Sequence, residues 1–78
     1  LDNKTALQEW SQSMRLGLPE YSLINKTGPD HQPAFTVKVK VLDHRIEKAK
    51  GKTLQDAEQN AAKKFLDKLK INYDKKIN

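Results

Sequence analysis

The chain has 78 residues, of which 36% are hydrophobic and 32% are charged, so it holds one small domain with a limited core. It contains no cysteine, which excludes disulfides, thiol catalysis and cysteine-ligated metals. A formal net charge of +5 favours a polyanionic partner, nucleic acid first and an anionic membrane second.

Neither end of the chain carries a recognisable membrane or export signal. No apolar run approaches the roughly 18 residues that a membrane span needs, and no signal-peptide pattern opens the sequence. We therefore expect a cytoplasmic domain that does not insert into a membrane, in keeping with the lack of cysteine. Because residue 1 is leucine and not methionine, we also expect a piece of a longer protein.

A first helix is predicted near the N-terminus. Asp2 or Asn3 can cap its start. Its apolar stripe contains Leu7, Trp10 and Met14 at helical spacing. This stripe predicts core or core-edge packing for the tryptophan, and not base stacking.

The opposite face of this helix is polar but almost uncharged. Its residues follow the i, i+3, i+4, i+7 pattern and are Thr5, Gln8, Glu9 and Gln12. Such a face is rich in groups that donate and accept hydrogen bonds. The Gly17–Pro19 segment is predicted to end the helix.

Three strands are predicted in the middle of the chain. They cover Tyr21–Asn25, Phe35–Val41 and Ile46–Lys50, and the second alternates strictly between apolar and polar residues. Turn residues fill Lys26–Pro33, and a tight turn is predicted at Leu42–Arg45. Short connections of this kind join antiparallel strands.

A second helix is predicted from a cap at Thr53, with Asp56 three residues later as in a capping box. Its apolar residues recur at helical spacing and are Leu54, Ala57, Ala61, Ala62, Phe65, Leu66 and Leu69. The small alanines at its start predict close packing against a sheet. Lys50 and Lys52 flank the helix start, where free N–H groups suit a phosphate.

The fold class predicted from this order is α+β, with an α-β-β-β-α arrangement. A three-stranded antiparallel sheet would carry both helices on one face. Residues 1–70 form the predicted domain, and residues 71–78 form a predicted basic, frayed tail. Six further lysines are interpreted as solvated: Lys38 and Lys40 on the open sheet face, and Lys63, Lys64, Lys68 and Lys70 on the second helix.

Several short motifs stand in a characteristic order along the chain. They are Leu7-Gln8-Glu9, Gly28-Pro29-Asp30-His31, Phe35, Gly51-Lys52-Thr53, and Ala57-Glu58-Gln59 with Ala61-Ala62. With these motifs, residues 2–69 resemble the double-stranded-RNA-binding domain, and more narrowly the C-terminal domain of bacterial ribonuclease III. The resemblance implies sequence-tolerant binding of double-stranded RNA.

The resemblance also implies three contact regions, since such domains span about 16 bp, two minor grooves and the major groove between them. The polar helix face, Thr5, Gln8, Glu9 and Gln12, would enter one minor groove. The loop with Gly28, Pro29 and His31 would enter the other. Phosphates of the major groove would meet the second helix start with Lys50, Lys52, Thr53 and Gln55.

One position departs from the family pattern. Members usually carry two adjacent basic residues just inside the second helix, where this chain has Leu54 and Gln55. We therefore expect weaker affinity and a shallower salt dependence. The departure leaves open an alternative, a protein-interaction or dimerisation module of the same fold. Charge alone leaves a third reading, a general polyanion or membrane-surface binder.

Catalysis within this chain is not expected. Asp30 and His31 have no serine placed to complete a nucleophilic set, and two distant histidines make a poor metal site. The resemblance implies a parent enzyme with an upstream, Mg²⁺-dependent nuclease domain that would form a homodimer. The domain itself is predicted to be a monomer without a cofactor.

Overall fold

A computed structural model describes residues 2–77, with side chains described for residues 2–70. The elements are α1 (Asn3–Ser13), β1 (Glu20–Thr27), β2 (Ala34–Lys40), β3 (Ile46–Gly51) and α2 (Leu54–Ile77). The strands form one antiparallel sheet in the order β1-β2-β3. The predicted α-β-β-β-α order and sheet are therefore confirmed.

The core lies between one face of the sheet and the two helices. Its fully buried apolar residues are Leu7, Val37, Val39, Val41, Ala57, Ala61, Ala62 and Phe65. They come from α1, from the alternating positions of β2 and its continuation, and from the inner face of α2. Both helices therefore cover the same sheet face, as the apolar patterns predict.

The first turns of α2 lie very close to β3. A Cβ built on Gly51 would lie 2.3 Å from the backbone nitrogen of Ala57, which no side chain can tolerate. Ala57 and Ala61 are fully buried at this contact. Small residues therefore set the distance between helix and sheet, which confirms the close approach predicted from the alanines.

The end of α1 comes earlier than the Gly17–Pro19 segment that the sequence indicates. The Arg15 N–H donates to the Gln12 carbonyl at 3.0 Å, and the Leu16 N–H donates to the Ser11 carbonyl at 2.9 Å. These two bonds form a Schellman motif, in which the residue after the cap takes a left-handed conformation. Arg15 does so with φ of 60°, although glycine is usual there.

This early end changes which residues of α1 are buried. Met14 is the C-cap and is 56% exposed, so its prediction as a core residue is wrong. Ser11 is fully buried one turn earlier. Its hydroxyl donates to the Gly17 carbonyl at 2.6 Å, which satisfies the buried oxygen.

The strand β1 runs two residues beyond its predicted end at Asn25. A bulge between Leu23 and Asn25 interrupts its pairing with β2. Lys26 and Thr27 continue the pairing afterwards, so the loop to β2 begins at Gly28. The loop is therefore shorter than the turn chemistry suggests.

The helix α2 continues to Ile77, past the end of its apolar periodicity at Leu69. The backbone of residues 71–77 is helical, whereas the loss of periodicity predicts no helix there. The side chains of this segment and Asn78 lie outside the described residues. The division into a domain of residues 1–70 and a tail of residues 71–78 stays a prediction.

Side chains of α2 cover the free edge of β3. The Asn60 amide donates to the Lys50 carbonyl at 2.8 Å, and the Lys64 ammonium donates to the Lys48 carbonyl at 3.0 Å. An open sheet edge invites pairing with another chain, and covering it prevents this. Lys64 therefore has a structural contact, in contrast to its reading as a solvated residue.

A further contact joins α2 to the inner face of β3. Glu47 is 7% exposed, and its carboxylate pairs with the Lys68 ammonium at 3.2 Å. The interpretation of Lys68 as merely solvated is also wrong. Lys63 forms an exposed i, i+4 pair with Asp67, which contributes little to stability.

Candidate nucleic-acid interface

The polar residues of α1 form one exposed face. Their side chains are exposed at Thr5, Gln8, Glu9 and Gln12, while Leu7 and Ser11 on the other side are buried. The helix thus separates the residues that pack from those that are open to a ligand. These four residues are placed together, as the sequence predicts.

Gln59 of α2 fixes the start of α1. Its side-chain carbonyl accepts from the backbone N–H of Asn3 at 2.9 Å and of Lys4 at 3.3 Å, and its amide donates to Asp2 at 2.8 Å. Asp2 also caps the helix by accepting from the Thr5 N–H at 3.1 Å. The hydrogen bond from Gln59 and then that from Thr5 lower the pKa of Asp2.

A second link joins α1, α2 and β1. The Lys4 ammonium pairs with Glu58 at 2.7 Å and lies 4.9 Å from the centroid of the Tyr21 ring. The Tyr21 hydroxyl is buried and has no hydrogen-bond partner among the described residues. Burial, and then the Glu58 and Asp2 carboxylates, raise the pKa of Tyr21 to about 12. The Glu58-Gln59 pair therefore positions α1 and is not itself a contact surface.

The loop between β1 and β2 is shaped by a glycine and a turn. Gly28 has φ of 86°, and a Cβ there would lie 2.6 Å from the Gln32 carbonyl oxygen. The Gln32 N–H donates to the Pro29 carbonyl at 2.9 Å, which closes a β-turn with Asp30 and His31 at its centre. Gly28, Pro29 and His31 are all exposed. The loop is thus held in one shape with its tip in solvent.

The start of α2 is capped as predicted. The Thr53 hydroxyl oxygen accepts from the Asp56 N–H at 3.0 Å, as the capping-box pattern requires. Lys52, Thr53 and Gln55 are exposed at this end. The first N–H groups of a helix have no partner within it, so they are open to an anion beside Lys52. Leu54 is 38% exposed and does not belong to the buried stripe.

The β1–β2 loop and the start of α2 lie at the same end of the sheet. Phe35 near the start of β2 pairs with Lys26 on one side and with Gly51 on the other. The loop follows β1 at this end, and α2 follows Gly51. Lys50 is separated from these residues, because it pairs with Thr36 on the sheet face that the helices leave open.

The helix α1 runs from the second turn of α2 to the opposite end of the sheet. There the Trp10 ring lies 5.2 Å from the His44 ring and 5.7 Å from the Phe65 ring, measured between centroids. Trp10 is half-buried, which confirms its reading as a packing residue. His44 lies in the predicted tight turn between β2 and β3, and its contact with Trp10 orients this turn against α1.

Two kinds of site are absent from the described part of the chain. Residues there form no group of three or more histidine, cysteine, aspartate or glutamate side chains able to hold a metal ion. No helix within the same residues has the length and apolar character needed to cross a bilayer.

The fold and these surfaces define a small α+β binding domain with a polar helix face, a glycine-shaped loop and a basic helix start. The chain belongs to the double-stranded RNA binding motif family, whose model matches residues 3–69. This assignment confirms the family resemblance of the ordered motifs.

The sequence is also similar to ribonucleases 3 of bacteria. It is 50% identical over 72 residues to Ribonuclease 3 of Ehrlichia ruminantium, which covers 92% of this chain and 31% of that protein. Against Ribonuclease 3 of Caulobacter vibrioides it is 51% identical over 67 residues, or 86% of this chain and 29% of that protein. The chain therefore spans about a third of the length of these relatives.

Among solved structures, the chain resembles the second double-stranded-RNA-binding domain of DRB4. The TM-score is 0.66 at 32% sequence identity, and the match covers 90% of this chain and 97% of that one. A longer DRB4 chain that contains both such domains matches with a TM-score of 0.69. This match covers 90% of this chain and 45% of the DRB4 chain. These matches agree with the observed element order.

Proposed function

We propose that this domain docks double-stranded RNA for an endonuclease of the ribonuclease III type. The observation that carries the proposal is that three exposed surfaces are each held in place from within the fold. Gln59 holds α1, Gly28 shapes the loop, and Thr53 caps α2. A duplex can therefore meet surfaces that are ordered before it binds, which lowers the entropic cost of binding.

The outer face of α1 is suited to the minor groove of RNA. Gln8 and Gln12 carry amides that donate and accept, and Glu9 accepts. A 2′-OH also both donates and accepts, so these groups fit it better than lysines do. We propose that this face, with Thr5, distinguishes RNA from DNA.

The loop and the start of α2 are suited to the second minor groove and to the phosphates. Pro29 and His31 stand at the tip of the loop, and Gly28 sets its shape. Lys52 and the free N–H groups of α2, beside Thr53 and Gln55, offer positive charge to phosphates. We assign Lys50 to a different surface because it lies on the open sheet face.

The similarity to ribonucleases 3 supports a wider proposal about the protein that contains this domain. We propose a cytoplasmic parent protein that is a homodimeric nuclease, with Mg²⁺ bound in a separate nuclease domain. The domain alone is proposed to be a monomer without a cofactor. In this proposal the cleavage chemistry resides in that separate nuclease domain.

A titration against RNA duplexes of increasing length tests the proposal. The two minor grooves that the family contacts span about 16 bp. Affinity should rise steeply as the duplex grows toward this length, and then level off for one bound domain. Equal affinity for duplexes of half and full length would contradict the three-surface arrangement.

Two substitutions separate the groove from the phosphate contacts. Lys52→Ala should weaken binding to every duplex and reduce the slope of log K against log salt by about one unit. Gln8→Ala should weaken RNA binding with little change in this slope, because it removes no charge. Both residues are exposed, so stability should change by less than about 0.5 kcal/mol.

The matched control for both is Lys63→Ala, which removes an exposed lysine nine residues after the first residue of α2. It should change affinity and slope less than Lys52→Ala. If Lys52→Ala and Gln8→Ala gave the same change in slope, the assignment of groove and phosphate roles would be wrong.

A second candidate is a protein-interaction module, supported by the exposure of Leu54 at the helix start. This side chain is 38% exposed where the family usually carries a basic residue. Leu54→Lys distinguishes the candidates. For an RNA-binding domain it should tighten duplex binding and steepen the salt slope, whereas for a protein-binding domain it should leave RNA affinity negligible.

A further inference from the structure

Four lysines stand together on the sheet face opposite the helices. We call this surface the lysine face, and its members are Lys38 and Lys40 of β2 with Lys48 and Lys50 of β3. Buried Val37 and Val39 alternate with the β2 lysines, so the lysines point away from the core. Lys38 pairs directly with Lys48, Lys50 lies one step toward the α2 start, and Lys40 lies one step the other way.

The described residues leave the lysine face without an ion pair, since none of the ion pairs among them involves these four lysines. Like charges directly opposite each other on neighbouring strands destabilise a sheet. Glu20 is opposite Lys40 on β1, but Lys38 lies between Ser22 and Lys48. The fold therefore keeps a charge arrangement that works against its own stability.

Protection against aggregation does not account for this arrangement. Lysines often stand on edge strands, where they prevent pairing with another chain. Lys38 and Lys40, however, belong to the central strand β2. The free edge of β3 is already covered by hydrogen bonds from Asn60 and Lys64.

We propose that the lysine face is a second binding surface, which takes the phosphate backbone of an RNA segment other than the duplex bound at α1. Positions two apart on a strand are separated by about 6.8 Å, so the stripe from Lys50 to Lys40 extends over roughly 14 Å. A nucleic-acid strand carries one phosphate charge per about 3.4 Å of helix axis. The stripe is therefore long enough to contact more than one phosphate of the same strand.

The chemistry of the face favours a nucleic-acid backbone over a protein partner. Lysine is depleted at protein interfaces, whose energy comes from aromatic and arginine anchors in pockets. The lysine face presents ammonium groups beside Ser22, Asn25 and Thr36. Such point charges attract phosphates without reading 2′-OH groups or bases, so a single strand is bound as well as a duplex.

The two surfaces are different in position and in selectivity. Lys50 lies at the sheet end where α2 starts, but on the open face of the sheet. The lysine face therefore begins near the start of α2 and continues across the side of the sheet opposite the helices. A domain with both would hold a duplex at α1 and a flanking or neighbouring RNA segment behind it. The inference does not depend on the duplex-binding function, because its probe is a single strand.

The test uses the double variant Lys38→Gln/Lys48→Gln and oligouridylate of about 12 nucleotides, within the usual range of single-strand sites. The control Lys63→Gln/Lys70→Gln removes the same charge from exposed positions of α2. Binding is measured over a range of salt concentrations. Amide chemical shifts in NMR spectra of the unaltered domain identify the residues that the strand contacts.

We expect the unaltered domain to bind oligouridylate at low salt, with shift changes centred on Lys38 and Lys48. Lys38→Gln/Lys48→Gln should lower the salt slope by about 1.4, because each single-strand contact contributes about 0.7. The control should lower it by less than half as much. The sheet variant should also melt at a higher temperature, and its duplex binding should still respond to Gln8→Ala.

Three results would overturn the inference. One is no binding of oligouridylate by the unaltered domain at low salt. Another is an equal loss in the two double variants, which would mean that only net charge matters. The third is equally tight binding of polyglutamate of the same charge, which would indicate an acidic protein as the partner. If the unaltered domain bound oligouridylate but no RNA duplex, only the proposed docking function would be contradicted.

Discussion

The inner side of α2 and the outer side of α1 differ in what their residues contact, although both carry motifs of the same family. Ala57 and Phe65 of α2 are fully buried against the sheet, and Gly51 admits no side chain at all. Gln8 and Gln12 of α1 are exposed. One set of motifs therefore builds the frame, and the other is exposed, where we propose that it contacts RNA.

This division has a consequence for mutagenesis. Substitutions on the inner side of α2 should reduce folding stability and RNA binding together, because the contact surfaces depend on the frame. Substitutions on the outer side of α1 should reduce binding alone.

Phe65→Ala should destabilise the domain by about 3–5 kcal/mol, since it removes a fully buried aromatic side chain. This is a large fraction of the stability of a small domain, so RNA binding should be lost as well. Urea unfolding followed by circular dichroism measures the change. Leu54→Ala, at a 38% exposed position of the same helix, is the control and should cost less than 1 kcal/mol.

Gly51→Ala should destabilise by about 1–3 kcal/mol through overpacking. Its new Cβ would lie 2.3 Å from the Ala57 nitrogen, and backbone atoms cannot give way as the tip of a side chain can. Gly17→Ala is the matched control, because φ there is +80° but nothing lies within 4 Å. A larger loss for Gly17→Ala would show that backbone conformation, and not the close approach of α2, matters at these glycines.

Tyr21→Phe should stabilise the domain by about 1 kcal/mol, because the buried hydroxyl has no partner among the described residues. The pKa of Tyr21 is raised to about 12, so the neutral form is favoured in the fold. Stability from this group is present below about pH 10 and is lost as pH rises toward 12. Alkaline unfolding should therefore shift to higher pH in Tyr21→Phe, and an unchanged profile would contradict this account.

The stabilising contribution of Asp2 should be lost in acid. Its pKa is lowered by the hydrogen bonds from Gln59 and Thr5, so its contribution is present above the unfolded value of about 4. The contribution is lost as pH falls through the lower folded value. The stability difference between the unaltered domain and Asp2→Asn should be constant from about pH 5 to 7, because Asp2 is ionised there in both the folded and the unfolded state. The difference should shrink below about pH 4. Gln59→Ala should reduce this acid dependence without abolishing it, because the hydrogen bond from the Thr5 N–H remains.

Much of the fold could be predicted because its signals are local and periodic. The alternation in β2 and the alanine stripe of α2 each identify an element and its buried face. The motif order then identified the family and the exposed residues. Thr53 was recognised as a cap because its bond to the Asp56 N–H depends only on spacing along the chain.

The remainder depends on contacts between residues distant in sequence. Nothing local shows that Gln59 accepts from the start of α1, or that Lys64 covers the edge of β3. The sequence does not predict that α1 ends before a left-handed Arg15, because glycine two residues later is the stronger local signal for a helix end. The sequence pattern places Lys38 and Lys40 on the open sheet face, but it does not show that Lys48 lies beside Lys38, because that pairing depends on the register between strands.

We propose that the outer face of α1 recognises RNA by its 2′-OH groups. The most direct test is a titration of the domain against RNA–RNA and DNA–DNA duplexes of the same sequence at two salt concentrations. We predict tighter binding to RNA, with a preference that persists at higher salt and decreases in Gln8→Ala. Equal affinity for the two duplexes, falling equally with salt, would contradict the claim and leave charge as the basis of binding.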